Sequence, residues 1–181
     1  MANIQEITLA GGCFWCIESA FNRVKGVHSA FSGYSNGQAL APTYESVCSG
    51  DTGHAEVVRV TFDEDIISLE AILEIFFALH DPTQLNRQGN DVGTQYRGGI
   101  YYHSDAQREV VMQFIAKLRQ DEIYAQEIVT EVLPVDNYHQ AEDYHQDYFN
   151  NNSGNTYCNF VVGPKLAKFK QTFAHYLKEH D

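Results

Sequence analysis

Basic side chains are scarce in this chain: 12 Lys and Arg stand against 24 Asp and Glu, giving a formal net charge of −12 over 181 residues. A surface of that sign repels phosphate and argues against nucleic acid as a partner. Long apolar runs are also lacking. No segment has the length or apolarity of a membrane span. The first residues, Met1-Ala2-Asn3-Ile4-Gln5-Glu6, have neither the basic region nor the apolar core of a signal peptide. Four cysteines are too few for a disulfide scaffold in a chain this long, so a cytoplasmic protein with reduced thiols is expected. Low-complexity linkers and internal repeats are absent, which points to one domain over residues 1–181. Tryptophan occurs once, at position 15.

What is present reads as globular: 44% hydrophobic and 20% charged residues. Ile4 to Leu9 is a β-type run ending in Gly11-Gly12. Phe14, Ile17, Phe21 and Val24 then recur at helical spacing. Ser29 to Tyr34 and the β-branched Ala55 to Phe62 read as strands. Ser68 is placed to cap a helix whose apolar stripe is Leu69, Ile72, Leu73, Phe76 and Leu79. Gly99 to His103 follows as a strand, and Ser104 with Gln107 forms a capping-box pattern before a helix to about Asp121. Glu127 to Leu133 is a further strand. After Pro134 the chain reads as irregular, apart from a Tyr/His-rich segment and an amphipathic helix from about Pro164. The order β-α-β-β-α-β-α-β predicts an α+β fold with a partly antiparallel sheet.

The most informative stretch is Gly11-Gly12-Cys13-Phe14-Trp15-Cys16-Ile17-Glu18. A cysteine where a helix begins faces unpaired N–H groups and the positive end of the helix dipole, and both favour thiolate. Two aromatics directly after it suggest the wall of a small apolar pocket. Cys16, one turn on, is either a disulfide partner of the C-x-x-C type or a packing residue. Zinc would need two further thiol or imidazole ligands at suitable spacing, and Cys48, His54 and Cys158 do not supply them. Two long polar loops, residues 35–54 and 81–98, are of a kind more often functional than accidental. Glu56, just after the first, is either a solvated strand-end carboxylate or a buried acid of raised pKa. Tyr44, Tyr96 and Asp91 are ordinary loop residues when taken singly. The segment Tyr138 to Gln146 reads as a packed aromatic surface helix, because His139 and His145 do not share a helical face. Cys158 lies in a Gly/Asn-rich segment and is either an exposed free thiol or a thiol on an arm able to reach a distant sulfur.

Taken in order, Gly12-Cys13-Phe14-Trp15, Gly33-Tyr34, Pro42-Thr43-Tyr44, Val47 to Glu56, His80-Asp81-Pro82, Gln88 to Asp91, Gly93 to Arg97, Ala141-Glu142 and His145-Gln146 resemble the A-type peptide methionine sulfoxide reductases. The similarity runs from about residue 5 to residue 170. It implies a two-layer α+β sandwich with a ferredoxin-like mixed sheet, helices on one face and a long irregular C-terminal tail. It implies reduction of the S-epimer of methionine sulfoxide, free or in oxidised proteins, with no cofactor and no metal. Cys13 would be the nucleophile, Phe14 and Trp15 the methyl pocket, and Glu56 the proton donor. Tyr44 and Tyr96 would hydrogen-bond the sulfoxide oxygen, and Asp91 would help organise the site. The resulting sulfenic acid would be resolved by Cys158 or Cys16, and a dithiol such as thioredoxin would reduce the disulfide. Many relatives carry glycine in place of Cys16, and this chain has both thiols; Cys158 is expected to act first. A monomer is expected. Three rival chemistries remain at this level. A generic dithiol oxidoreductase has no use for Glu56. A peptide-binding module has no use for Cys13. A cysteine hydrolase needs His54 or His80 as base.

Overall fold

The computed structural model describes residues 3–89, 91–152, 155 and 162–178. In chain order the elements are β1 (Ile4–Ala10), α1 (Phe14–Phe21), β2 (Val27–Ser35), α2 (Tyr44–Cys48), β3 (Ala55–Asp63), α3 (Leu69–Leu79), β4 (Arg87–Gln88), β5 (Asp91–Val92), β6 (Gly99–Tyr102), α4 (Asp105–Gln120), β7 (Glu131–Pro134), β8 (His139–Gln140), α5 (Tyr148–Asn151) and α6 (Gly163–Thr172). Six strands form one mixed sheet in the order β7-β6-β1-β3-β2-β8. Every neighbouring pair is antiparallel except β6 with β7. The expected α+β class holds.

Strand β3 shows how sequence places the core. Its side chains alternate between faces. Val58, Val60 and Phe62 join the main core with α1 and α3, while Ala55 and Val57 pack on the other face with Ala10 and Tyr101. Arg59 crosses the Tyr138 ring at 3.7 Å. The helix starts follow their capping residues: Ser68 Oγ accepts from the Ala71 N–H (3.1 Å) and Ser104 Oγ from the Gln107 N–H (3.2 Å).

Four expectations are corrected. The first polar loop contains α2, closed by a capping box between Thr43 and Ser46; with only Val47 buried in five residues, it is too short to show a period. The second contains the β4–β5 hairpin and a 3₁₀ turn at Thr94–Tyr96. Strand β7 begins at Glu131 rather than Glu127, because the preceding residues are held elsewhere: Ile128 is buried and the Val129 N–H donates to the Pro82 carbonyl (2.9 Å). The Tyr/His-rich segment is not one helix: only Asp143–His145 form a 3₁₀ turn. Its backbone is claimed by β2: His139 pairs with Tyr34, Gln140 pairs with Gly33, and the Ala141 N–H donates to the Ser32 carbonyl (2.9 Å).

The strand leading to Glu56 is set by a close approach. A Cβ on Gly37 would overlap the backbone of Gly53 and His54, which cannot swing aside. Gly37→Ala is therefore expected to lower Tm by roughly 5–10 °C, the scale of an overpacked core site. A thermal melt of the variant checks this.

Candidate active site

The turn Gly11-Gly12 ends β1 and delivers Cys13 as the N-cap of α1. Gly12 has φ 90°, and a Cβ there would lie 2.8 Å from the Gln88 side chain. The turn thus accepts only glycine, on both conformational and steric grounds. Gln88 is itself fixed: its Nε2 donates to the Asp81 carbonyl (2.6 Å) and its Oε1 accepts from the Asp81 N–H (3.0 Å).

Next along α1, Phe14 is fully buried, with its ring against Tyr34 (5.7 Å between centroids), His145 (5.1 Å) and Tyr44 (6.3 Å). Trp15 is half-buried. It stacks on Tyr148 at 3.8 Å and 7°, and its Nε1–H donates to His145 Nδ1 (3.0 Å). That bond puts the His145 proton on Nε2, and burial lowers the ring's pKa, so the imidazole is neutral. Tyr44 closes the cluster, 4.4 Å from His145 and 6.2 Å from Trp15.

Glu56 enters from β3 and is 1% exposed. Its Oε1 accepts from the Phe14 N–H (3.2 Å), while Oε2 has no hydrogen-bond partner among the described residues. Burial pushes the carboxyl up to about 8. The Phe14 N–H opposes this, and the charges of Asp91 and Cys16 add to it. Of the two sequence readings, the buried acid stands. Tyr44 and Tyr96 have phenols raised by burial and by Glu56, so both keep their protons at neutral pH. Both reach the Cys48 thiol. Asp91, on β5, is an electrostatic neighbour of Glu56, Cys16 and Tyr96.

The two sulfurs behave differently from the expectation of a thiolate at Cys13. Burial and a hydrogen bond with Cys16 raise the Cys13 thiol; the Trp15 N–H pulls the other way, more weakly. The same bond lowers Cys16, helped by the charge of Lys165 on α6. Burial outweighs the helix N-terminus at Cys13, so of the two thiols Cys16 is the more readily ionised. Cys158 lies outside the described residues.

The fold brings Cys13, Phe14, Trp15, Cys16, Tyr44, Glu56, Asp91 and Tyr96 together. Both rings of the hydrolase reading are tied to backbone, although His80 Nε2 has no hydrogen-bond partner among the described residues. His54 Nδ1 accepts from the Gly37 N–H (3.0 Å), and its Nε2 lies 2.8 Å from the Ala39 carbonyl. His80 Nδ1 lies 2.7 Å from the Phe76 carbonyl, and burial lowers its pKa to about 4. Sequence reasoning gave no site role to Glu142 and His145 and missed Tyr148. Glu142 accepts from the Tyr34 hydroxyl (2.8 Å) and the Tyr44 N–H (2.9 Å) and so braces two rings of the site. Glu142 and His145 stood in the Ala141-Glu142 and His145-Gln146 motifs, and the signal for Tyr148 was the aromatic density of residues 138–148. Among the described residues no group of three or more His, Cys, Asp or Glu side chains could hold a metal ion, and no helix is long and apolar enough to cross a membrane. A groove of about 980 Å³ lies between the end of α3 and α6, and neither Cys13 nor Trp15 lines it.

The peptide methionine sulfoxide reductase family matches residues 5–177. The chain belongs to that family. Peptide methionine sulfoxide reductase MsrA of Psychrobacter cryohalolentis is 53% identical over 96% of this chain and 99% of its own length. Among solved structures, reduced Mxr1 from Saccharomyces cerevisiae is similar with a TM-score of 0.78 and 36% identity, covering 86% of this chain and 89% of its own. Mxr1 in complex with Trx2 gives a TM-score of 0.55 at 26% identity, covering 80% and 84%. A buried, protonated carboxyl is therefore set within the fold of a peptide methionine sulfoxide reductase.

Glu56 has a folded-state pKa near 8, against 4.5 for an unperturbed glutamate. Between those values the folded chain keeps a proton that the unfolded chain releases, so stability falls as pH rises through the window. Glu18, raised by burial to about 7, contributes with the same sign in both wild type and variant. Glu56→Gln is expected to gain Tm over wild type as pH rises from 5 to 8, reaching roughly 5 °C or more. Calorimetry at several pH values checks this; parallel pH profiles would mean that the carboxyl is not held neutral.

Proposed function

We propose that this chain reduces the S-epimer of methionine sulfoxide, free or in oxidised proteins, with Cys13 as nucleophile and Glu56 as acid. Methionine sulfoxide reduction is the activity of its family. The observation that carries the residue roles is the buried Glu56 carboxyl, protonated at neutral pH, with Oε2 unbonded and Oε1 tied to the residue after Cys13.

The sulfoxide's methyl group sits against Phe14 and Trp15, and its oxygen faces Glu56 and the phenols of Tyr44 and Tyr96. Separate seats for methyl and oxygen leave one direction for the rest of the substrate, which selects one epimer. The oxygen is a poor leaving group until protonated. Glu56 supplies that proton, while Tyr44 and Tyr96 donate hydrogen bonds to the same atom. The Cys13 proton passes to the Cys16 sulfur to which it is already bonded, freeing the Cys13 thiolate to attack. The Cys13 sulfur bonds to the sulfoxide sulfur as the protonated oxygen leaves as hydroxide. That hydroxide then bonds to the Cys13 sulfur, and the sulfur–sulfur bond breaks with its electron pair going to methionine. The products are methionine and a Cys13 sulfenic acid. Asp91 keeps Glu56 basic enough to stay protonated until the oxygen arrives.

The sulfenic acid condenses with a second thiol, releasing water and forming a disulfide. The Cys13–Cys16 hydrogen bond favours Cys16 for this first capture, in place of the Cys158-first order expected from sequence, and Cys158 then relays the disulfide outward. A thioredoxin-type dithiol reduces it, a reading supported by the complex of yeast Mxr1 with Trx2. In this reading the protein is a cytoplasmic, monomeric repair enzyme without cofactor. Its fold is one two-layer domain, ferredoxin-like in its β6-β1-β3-β2 run, with helices on one face and a long tail.

Cys13→Ser is expected to be inactive, and Glu56→Gln to slow a single turnover by ~10²–10⁴-fold. In wild type the single-turnover rate falls as pH rises past about 8, where Glu56 ionises, and this limb disappears in Glu56→Gln. Rapid quench against a defined S-sulfoxide measures both. Mass spectrometry after one turnover is expected to find Cys13 joined to Cys16; Cys13 joined to Cys158 with Cys16 free would reverse the order.

A further inference from the structure

Glu18 stands one turn beyond Trp15 on α1, is 2% exposed, and has no part in the reaction above. A carboxyl group so buried needs hydrogen-bond partners. It finds them in the turn that leads into the tail. Its Oε1 accepts from the Asp147 N–H, the Tyr148 N–H also bonds to it, and Oε2 accepts from Ser32 Oγ (3.3 Å). Asp147 has φ 55°, a left-handed conformation unusual for a side-chain-bearing residue. Such a residue aims successive N–H groups at one point and makes an anion-binding nest. Glu18 fills it.

The same turn is held at two other places. Gln146 clamps it to β2, accepting from the Ser32 N–H (2.9 Å) and donating to the Ser32 and Ala141 carbonyls (3.0 and 3.1 Å). Trp15 holds it through His145 and through the stack on Tyr148. Positions 15 and 18 share a helical face, so one face of α1 grips three of four consecutive residues, 145, 147 and 148.

We infer that Glu18 is a positioning residue for the methyl pocket: by holding the Asp147–Tyr148 turn it fixes the Tyr148 ring on Trp15, and with it the Trp15 indole. This rests on the reading of Trp15 as a pocket wall. Glu18 touches neither the sulfoxide nor Cys13; it acts through Trp15. The carboxylate sets substrate binding rather than the bond-breaking step.

Trp15 is the chain's only tryptophan, so its fluorescence reports the wall with no assay of activity. In Glu18→Ala the emission is expected to shift to the red and acrylamide quenching to rise. KM for a free S-sulfoxide should increase about tenfold, the scale of one lost aromatic contact, with kcat within about threefold. Glu18→Gln keeps the shape and an acceptor oxygen and should fall between. Unchanged emission and quenching in Glu18→Ala overturn the inference. Altered emission with unchanged KM also overturns it, and counts against Trp15 as the methyl wall, whereas the Cys13 and Glu56 variants test the chemistry separately. Should Glu18→Ala fail to fold, Glu18→Gln decides: emission and KM both at wild-type values overturn the inference.

Discussion

The Phe14 N–H and Glu56 Oε1 lie 3.2 Å apart, and around this one bond the site is assembled. It joins the first residue of α1 to the second residue of β3, elements separated by the whole of β2 and α2. The bond spends one of the helix's orphan N–H groups on a carboxyl that has no water to turn to. It also aligns that carboxyl with the cysteine one position earlier. Move either partner and the acid no longer stands beside the sulfur. The Gly12–Gln88 contact and the Gly37–Gly53 contact are the steric guides that deliver the two chains to this point.

Burial is the second governing quantity, and it acts on acid and thiol with opposite usefulness. For Glu56, removal from water keeps a proton in place at neutral pH, which an acid catalyst needs. For Cys13 it also keeps a proton in place, which a nucleophile does not need. In the proposed reaction Cys16, whose thiol is lowered by its bond to Cys13 and by Lys165, resolves that conflict by taking up the Cys13 proton. In that proposed reaction the second cysteine of the motif thus helps to activate the first, before any disulfide forms.

Much of this was legible beforehand, for identifiable reasons. β1, α1, β3, α3 and α4 carry apolar periods, α3 and α4 side-chain caps as well, and their positions follow directly. Cys13, Phe14, Trp15 and Glu56 stand in dense motifs at element boundaries, where a side chain's placement is set by its own neighbours. Legibility failed where placement depends on distant partners. Helix α2 is a single turn. The segment around His145 looks helical in composition, yet it pairs with β2 because Ser32 and Gln146 satisfy its backbone. The protonation of the cysteine pair depended on how deeply Val162 and Trp15 cover it, which no local pattern encodes.

The pairing of β8 with β2 has a further meaning. Strand β2 would otherwise present Gly33 and Tyr34 at an open sheet edge, a template for association with another chain. Two residues, His139 and Gln140, and the Gln146 clamp close that edge. The segment that brings His145 and Tyr148 to the pocket is thus also a guard on solubility. Any substitution that peels it from the sheet exposes a sticky edge as it frees His145 and Tyr148 from Trp15, so edge protection and the packing of Trp15 depend on the same short segment.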